Sequence, residues 1–408
     1  MAFSKTITSI DIGSYKITCM SGEVDSNETV KINKVATVSS KGIKNGIISD
    51  VMLAKDSITR CVDQLEKKQG SRIKNVFVTM SGLKPHCHNI QEKTKISSKR
   101  VTQKDINRLL NICNKKIQSE EKILLHAVPM SYFVDNNPTQ NPIGIIGNEL
   151  AIRITITVCD ALVIKNIKGL LETCDIEIKD IAYDGYVSAI GTLDDDEKDL
   201  CCGIINIGGG TTSVSVLYKG KFISCVTFNC AGDNITNDIM FTTAASKIEA
   251  ERIKLKHAHA VLNNSIAIQR PIEFHPAGEK NNVPSTITTT VISDIVKHRL
   301  EEIFDKCKTK TPYFKNVNRI ILTGGSTQIE NIAELCRTHL SLPTRIGNPS
   351  NTINLPNDYK TSLYTTSIGL MRYSGGNRPN EEINLVEKGY NIEDSIVKRL
   401  VNWLKTEI

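Results

Sequence analysis

Three short glycine-bearing segments carry the residue types with which a chain can grip a phosphate. They are Asp11-Ile12-Gly13-Ser14-Tyr15-Lys16, Asn206-Ile207-Gly208-Gly209-Gly210-Thr211-Thr212 and Leu322-Thr323-Gly324-Gly325-Ser326. Each stands at the end of an apolar run of strand length. Glycine tolerates positive φ and close backbone approach, so successive N–H groups can converge on phosphate oxygens. A strand–turn–strand does this without a helix, whereas a strand–turn–helix adds the positive end of a helix dipole. Singly the signals are weak: a triple glycine closes many hairpins, and Thr-Gly-Gly often merely packs a helix on a strand. In this order on one chain they are jointly specific. No GxxxxGK[ST] occurs, which excludes a P-loop enzyme, and no GxGxxG follows a strand, which excludes a simple dinucleotide fold.

Around these corners the pattern predicts a duplicated α/β architecture. Residues 6–12 alternate as a strand, the Gly13 corner breaks them, and 16–20 resume. A helix is expected over 51–69 and a strand over 75–80. From 83 to 160 the character changes to short strands, a helix over 103–115 and a Pro/Asn/Gly-rich stretch, which reads as a separate small module. A helix over 161–174 and a strand over 176–184 follow. Then a strand at 201–207, the Gly208 corner and a strand at 212–218 repeat the opening hairpin. Residues 233–263 are helical in composition, and a helix over 288–304 precedes the last corner. After it, 326–339 reads as a helix, with Thr327 and Glu330 spaced as a capping box.

Composition sets the outer limits. The chain has 408 residues, 40% hydrophobic and 23% charged, as expected of a soluble globular protein of two to four domains. No run of 18 apolar residues occurs, and the N-terminus lacks a basic-then-apolar leader, so neither a spanning helix nor export is expected. The net charge of +7 is spread along the chain, and 5% aromatics leave few stacking platforms, which argues against nucleic acid. The cysteines are scattered and form no CxxC pair, so reduced thiols in apolar strands are expected rather than zinc ligands. The pairs His86/His88 and His257/His259 read as surface or loop histidines. The run Asp194-Asp195-Asp196-Glu197 reads as a solvated loop.

The order of corners resembles the actin, sugar-kinase and heat-shock-chaperone ATPase superfamily, and within it most closely the bacterial cell-division FtsA family. The likeness extends over nearly the whole chain. It includes Gly42-Ile43-Lys44-Asn45-Gly46, Leu125-His126-Ala127-Val128-Pro129, Asn141-Pro142-Ile143-Gly144, Ala231-Gly232-Asp233-Asn234 and Glu249-Ala250-Glu251-Arg252-Ile253-Lys254. The resemblance implies an actin-like two-domain fold, with duplicated ribonuclease-H-like halves around a nucleotide cleft and an FtsA-type inserted subdomain. The first core subdomain would be 1–82, completed by 161–200 and about 360–373, with the insert at 83–160. The second half would have a core at 201–228 and 305–360 and an outer subdomain at 229–304. A flexible linker (374–390) and an amphipathic membrane-targeting helix (391–408) would follow.

The resemblance also implies roles, with ATP and Mg²⁺ as cofactors. Asp11 would orient waters on Mg²⁺. The turn of Gly13, Ser14, Tyr15 and Lys16 would meet the β- and γ-phosphates, with Gly208, Gly209, Gly210, Thr211 and Thr212 on their other side. Gly232 and Asp233 would line the cleft. Glu251 and Lys254 would reach the ribose and adenine, and Gly324, Gly325 and Ser326 would pack against the adenosine. Read alone, Glu251 and Lys254 would be an exposed helical ion pair. One position departs from the pattern: the second corner normally opens with Asp, and here Asn206 takes its place. Asn keeps the shape and a hydrogen-bond acceptor but has no charge for hydrated Mg²⁺ and cannot take a proton from water. Retained ATP binding with weak or absent hydrolysis is expected.

At 100° per residue, the tail from 395 to 405 separates into two faces. Ile396, Val397, Leu400, Val401, Trp403 and Leu404 share one, while Lys398, Arg399 and Lys405 take the other. Burying such side chains contributes roughly 1.5–3 kcal/mol each when complete, and each basic residue near anionic lipid about 1 kcal/mol. The open alternatives for the tail are docking on its own domain or on another protein. By resemblance, the chain would polymerise with itself on the cytoplasmic face of the inner membrane at the division site, bound to anionic lipids. It would tether FtsZ filaments by the FtsZ C-terminal tail, on roughly 229–310, and recruit later divisome membrane proteins. The rival readings are a small-molecule kinase of the same superfamily and a type IV pilus ATP-binding protein. Neither is expected to carry such a tail.

Overall fold

Ile- and Val-rich runs punctuated by glycine dictate where the sheets form. A computed structural model describes residues 3–25, 30–117, 121–262, 270–278, 284–349 and 355–376, so the tail helix and nearly all of the linker lie outside the described residues. The chain opens with an antiparallel meander of β1 (Phe3–Ile12), β2 (Lys16–Asp25) and β3 (Val30–Ser39). A small hairpin of β4 (Ile43–Lys44) and β5 (Ile47–Ile48) leads into α1 (Val51–Gln69), and β6 (Asn75–Met80) then runs parallel to β1. Helix α1 starts where the Asp50 side chain accepts from the Leu53 N–H, and it stops at Gly70, which takes the left-handed conformation. Ala54, Ile58, Cys61 and Leu65, at helical spacing, are its buried face.

The insert comprises β7 (His86–Lys95), α2 (Gln103–Ile117), β8 (Lys122–Val134), β9 (Asn137–Thr139) and β10 (Glu149–Asp160). Its sheet has the order β7-β10-β8-β9 and, with α2, encloses its own core of residues such as Leu109, Leu110, Ile152 and Ile154. The chain then forms α3 (Ala161–Glu172), β11 (Glu177–Tyr183), parallel to β6, and α4 (Asp184–Thr192).

The second half repeats the first. It runs through β12 (Cys201–Ile207), β13 (Thr212–Tyr218) and β14 (Lys221–Phe228), then α5 (Gly232–Thr243), α6 (Lys247–His257), β15 (Pro271–Phe274), β16 (Ser285–Thr288) and α7 (Thr289–Lys310). It ends with β17 (Arg319–Thr323), α8 (Ile332–Leu340), β18 (Thr344–Ile346) and α9 (Thr365–Ser374). The two large sheets, β11-β6-β1-β2-β3 and β14-β13-β12-β17-β18, share one plan. In each, a glycine-cornered antiparallel pair gains a third antiparallel strand on one side and two parallel strands on the other. The duplicated core expected from the two hairpins is present, in the two-half α/β arrangement that the resemblance implies.

Helices α4 and α9 pack against each other between the sheets. A Cβ at Gly369 would collide with the carbonyl of Val187, and one at Gly191 with that of Thr365, so two glycines allow the close crossing. All nine residues of α4 are buried.

Four local expectations need correction. The strand expected to 184 stops at Tyr183, and Asp184 opens α4. The helical stretch 233–263 is two helices, broken where Ala244 adopts a left-handed conformation. The helix expected over 326–339 begins at Ile332 after a 3-10 turn (Gly325–Gln328), and Thr327 makes no capping box; its hydroxyl donates to Gly324 O instead. Finally, Glu197 is not in a solvated loop. It is buried, and Arg319 from β17 and Arg345 from β18 both donate to its Oε1, at 2.6 and 2.7 Å.

Burial opposes the charge on Glu197, but the bonds from Arg345, the Asp194 N–H and Arg319 prevail and hold its pKa below the usual carboxylate range. A depressed carboxylate stabilises fully above its unfolded pKa, and this contribution is lost as pH falls through the folded value. Replacing Glu197→Ala leaves two guanidinium groups without their shared acceptor. Denaturant unfolding at neutral pH is expected to show a loss of roughly 2–4 kcal/mol, with the lower end favoured by the partial exposure of both arginines. An unchanged midpoint would contradict the assignment.

Candidate functional site

The first two corners are built alike. The Gly13 N–H donates to Lys16 O at 3.1 Å, and the Gly208 N–H donates to Thr211 O at 2.9 Å. Each bond closes a tight loop whose tip faces the other. A Cβ on Gly210 would lie 2.8 Å from Ser14 Oγ and 2.9 Å from Asn45 Cα, so the approach requires glycine there, and one on Gly209 would press on Tyr15 Cβ at 3.1 Å. The first tip is braced from behind, where the Gly46 N–H donates to Ser14 Oγ at 2.8 Å.

The third corner joins through one carbonyl. Gly208 O accepts from Ser326 Oγ at 2.8 Å and from the Gly232 N–H at 3.1 Å, while the Asp233 N–H donates to Gly209 O at 2.7 Å. Gly324 has φ 92°, and a Cβ there would collide with Asn206 Oδ1 and Ile207 O. The neighbouring Gly325 faces Leu363. Glu251 and Lys254 stand beside the same junction. Their ion pair (2.8 Å) is largely buried, and Lys254 Nζ also donates to Thr236 Oγ1 at 2.8 Å and to Gly232 O at 3.3 Å. The exposed-pair alternative is thereby overturned. Tyr15 lies near enough to feel this end of the crevice: burial first, then the charges of Glu251 and Asp233, raise its pKa.

Consecutive residues on α9 tie the floor together. Ser367 Oγ donates to Asp11 Oδ2 at 2.7 Å, and Thr366 Oγ1 accepts from Asn206 Nδ2 at 3.2 Å. One helix thus holds the acid of the first corner and the amide of the second. Burial raises the pKa of Asp11, against the Ser367 bond and the Lys16 charge. Lys16 donates to Leu363 O at 2.7 Å and lies 3.6 Å from the centre of the Tyr364 ring. Burial pulls its ammonium down to about 8, against the attraction of Asp11. Thr211 is buried, and Thr212 turns away from the crevice, its hydroxyl donating to Cys230 O at 2.6 Å. Of the hydroxyls expected at the nucleotide, that of Ser14 accepts from the Gly46 N–H, that of Ser326 donates to Gly208 O, and that of Thr212 is taken by Cys230 O.

Sequence reading missed Asp184. Its Oδ2 accepts from Ser213 Oγ at 2.8 Å and lies 3.4 Å from Asn206 Nδ2, while its Oδ1 is buried with no hydrogen-bond partner among the described residues. Asn206 Nδ2 also donates to Ser188 Oγ at 3.1 Å, again from α4. The charge missing at position 206 therefore has a carboxylate beside it. The Asp-to-Asn change was visible in the sequence, but nothing local marks its partner 22 residues earlier. Among the described residues, no group of three or more His, Cys, Asp or Glu side chains comes together, at this site or any other.

With this geometry in view, comparison with known proteins is informative. A model of the cell division protein FtsA matches residues 203–369, and a model of the SHS2 domain inserted in FtsA matches residues 82–158. The two matches together span more than half of the chain. The chain belongs to the FtsA family. The cell division protein FtsA of Pseudomonas aeruginosa is 26% identical, over 98% of this chain and 98% of its own length. Among solved structures, a PilM–PilN type IV pilus biogenesis complex aligns with a TM-score of 0.64 at 13% identity, covering 90% of this chain and 98% of its own. MreB5 of Spiroplasma citri bound to ADP aligns with a TM-score of 0.54 at 15% identity, covering 93% and 99%. These structural likenesses concern the fold. Family membership makes the chain an actin-like cell-division protein.

Asp184 yields a pH test. Burial first, and then Asp11, push its pKa up to about 7, against the Ser213 bond. A carboxyl group raised above its unfolded value of about 3.9 contributes fully below that value, and the contribution is lost as pH rises through the folded value. This contribution should therefore be lost between about pH 4 and about pH 7, and Asp184→Asn should flatten the stability slope over that range. Equal slopes in denaturant melts of the two proteins would refute the assignment.

Proposed function

We propose that the crevice binds Mg·ATP and that the nucleotide governs self-assembly rather than being turned over rapidly. The observation that carries this reading is the meeting of three glycine corners at Gly208, beside the buried Glu251–Lys254 pair. The residues present fit the group. Gly13 to Lys16 and Gly208 to Thr211 would face the phosphates, Gly324 to Ser326 the adenosine, and Glu251 and Lys254 the ribose and adenine. Asp11 would hold water on the metal, which when bound supplies positive charge against the phosphates. Asn206 cannot accept a proton from attacking water, so hydrolysis would be weak or absent. The domain division expected from sequence, with the insert at 83–160 and the outer subdomain at 229–304, is part of this reading.

The remaining steps follow from family membership and the tail. We propose that the chain polymerises on the cytoplasmic face of the inner membrane, held to anionic lipid by residues 391–408, and there recruits later divisome membrane proteins. Polymerisation would multiply weak anchors into strong avidity. Among the described residues, no helix is long and apolar enough to cross a membrane. For the FtsZ C-terminal tail, a groove of about 440 Å³ between α5 and α7 supports docking on the outer subdomain. Val291 and Ile295 give it apolar lining, His298 stands beside them, and its charged residues are Asp294 together with Asp238 and Glu302, both of which are paired to Arg299.

Co-sedimentation tests the reading. With ATP and anionic vesicles, the full chain should pellet and the pellet should contain filaments. The chain lacking residues 391–408 should remain in the supernatant while still binding ATP, and Trp403→Glu should lower the bound fraction several-fold. Equal pelleting of full and truncated chains would defeat the membrane assignment.

A further inference from the structure

The insert meets the second half along β7 and β14, and the two strands run past each other in a fixed register. Asn89 Nδ2 donates to Ile223 O at 3.1 Å, and two residues along each strand the sulfurs of Cys87 and Cys225 lie 2.7 Å apart. Both thiols are free. That separation is well inside an ordinary sulfur–sulfur contact, and closing it to a bond of about 2.05 Å requires only a small side-chain shift. Further contacts pin the register. Asn89 Nδ2 also lies 3.3 Å from Tyr313 Oη, to which it donates, and Lys221 Nζ donates to Met130 O at 3.1 Å.

We propose that Cys87 and Cys225 form a peroxide-sensitive pair that closes to a disulfide, stapling the insert to the second half. The inference is independent of whether the crevice takes ATP. Cys87 is the less buried of the two and the side from which a small oxidant would approach, whereas Cys225 is buried. The two sulfurs are also electrostatically unequal. Burial opposes ionisation of Cys87, but bonds from Cys225 and from Thr157 Oγ1 (3.3 Å) outweigh it and lower its pKa, while burial and the neighbouring sulfur raise that of Cys225. This division matches an attacking thiolate and a resolving thiol.

The chemistry balances with hydrogen peroxide as oxidant. The Cys87 thiolate attacks one peroxide oxygen, the O–O bond breaks, and Cys87 becomes a sulfenic acid as hydroxide leaves. Cys225 gives up its proton, its sulfur attacks the Cys87 sulfur, and the S–O bond breaks to release water. Two thiols are oxidised and one peroxide is reduced to two waters. Because β7 belongs to the insert and β14 to the sheet of the second half, the product is a covalent clasp across the two bodies.

The test uses the full chain treated with hydrogen peroxide, alkylated and digested without reductant. A linked peptide joining Cys87 to Cys225, abolished by dithiothreitol, is expected. Cys225→Ser should instead accumulate a dimedone-reactive sulfenic acid at Cys87, and Cys87→Ser should leave Cys225 alkylated. Hydrogen exchange in β7 and β14 should slow several-fold on oxidation of the native chain and remain unchanged in either variant. The proposal is overturned if both thiols stay free while other cysteines oxidise, or if Cys87 links to a different cysteine.

Discussion

The carbonyl of Gly208 is the point at which the crevice is assembled. It accepts from Ser326 of the third corner and from the amide of Gly232 at the start of α5, while its own N–H closes the second corner. Three separate chain segments are thereby fixed to one backbone unit. The constraint is steric as much as polar. A side chain at 209 or 210 would enter the first corner, and one at 324 would enter the second. Small residues at these positions let the main chain of both halves face a common space.

Beneath the corners, the floor depends on two helices that cross because glycines 191 and 369 admit the opposing backbone. From α9 come Thr366 and Ser367, bonded respectively to Asn206 and Asp11, and from α4 come Asp184 and Ser188. Burial of these polar groups is tolerable because most of them are partnered. The exception is Asp184 Oδ1. A buried carboxyl group with one idle oxygen is costly when charged, which is why its pKa rises toward neutrality. Asp184 thus places a carboxyl group beside Asn206, from a different element.

How much of this was legible in the sequence varies with the range of the interaction. The corners were readable because a strand, a glycine turn and a returning strand are local signals, and their repetition pointed to a duplicated core; the order of the parallel strands beside them was not legible. Asp184 was not. Helix α4 is buried on every side, so it has no amphipathic period, and its apolar residues merge with those of β11. Glu197 misled for a different reason. Its neighbours are acidic, so local charge density suggests solvent, whereas Arg319 and Arg345 arrive from strands more than a hundred residues away. The 3-10 turn after the third corner was hidden too, because Asn331 at φ 62° interrupts a stretch that is otherwise helical in composition. The Cys87–Cys225 approach belongs with these: neither cysteine is remarkable until β7 is laid against β14.

The most direct measurement is amide hydrogen exchange on the full chain with and without Mg·ATP. If main-chain N–H groups of the three corners hold the nucleotide, exchange should slow together in peptides covering 13–16, 208–212 and 324–326, with the change saturating as ATP is titrated. Saturating ATP that leaves all three corners exchanging at their original rates, or that protects only a distant surface, would contradict the account.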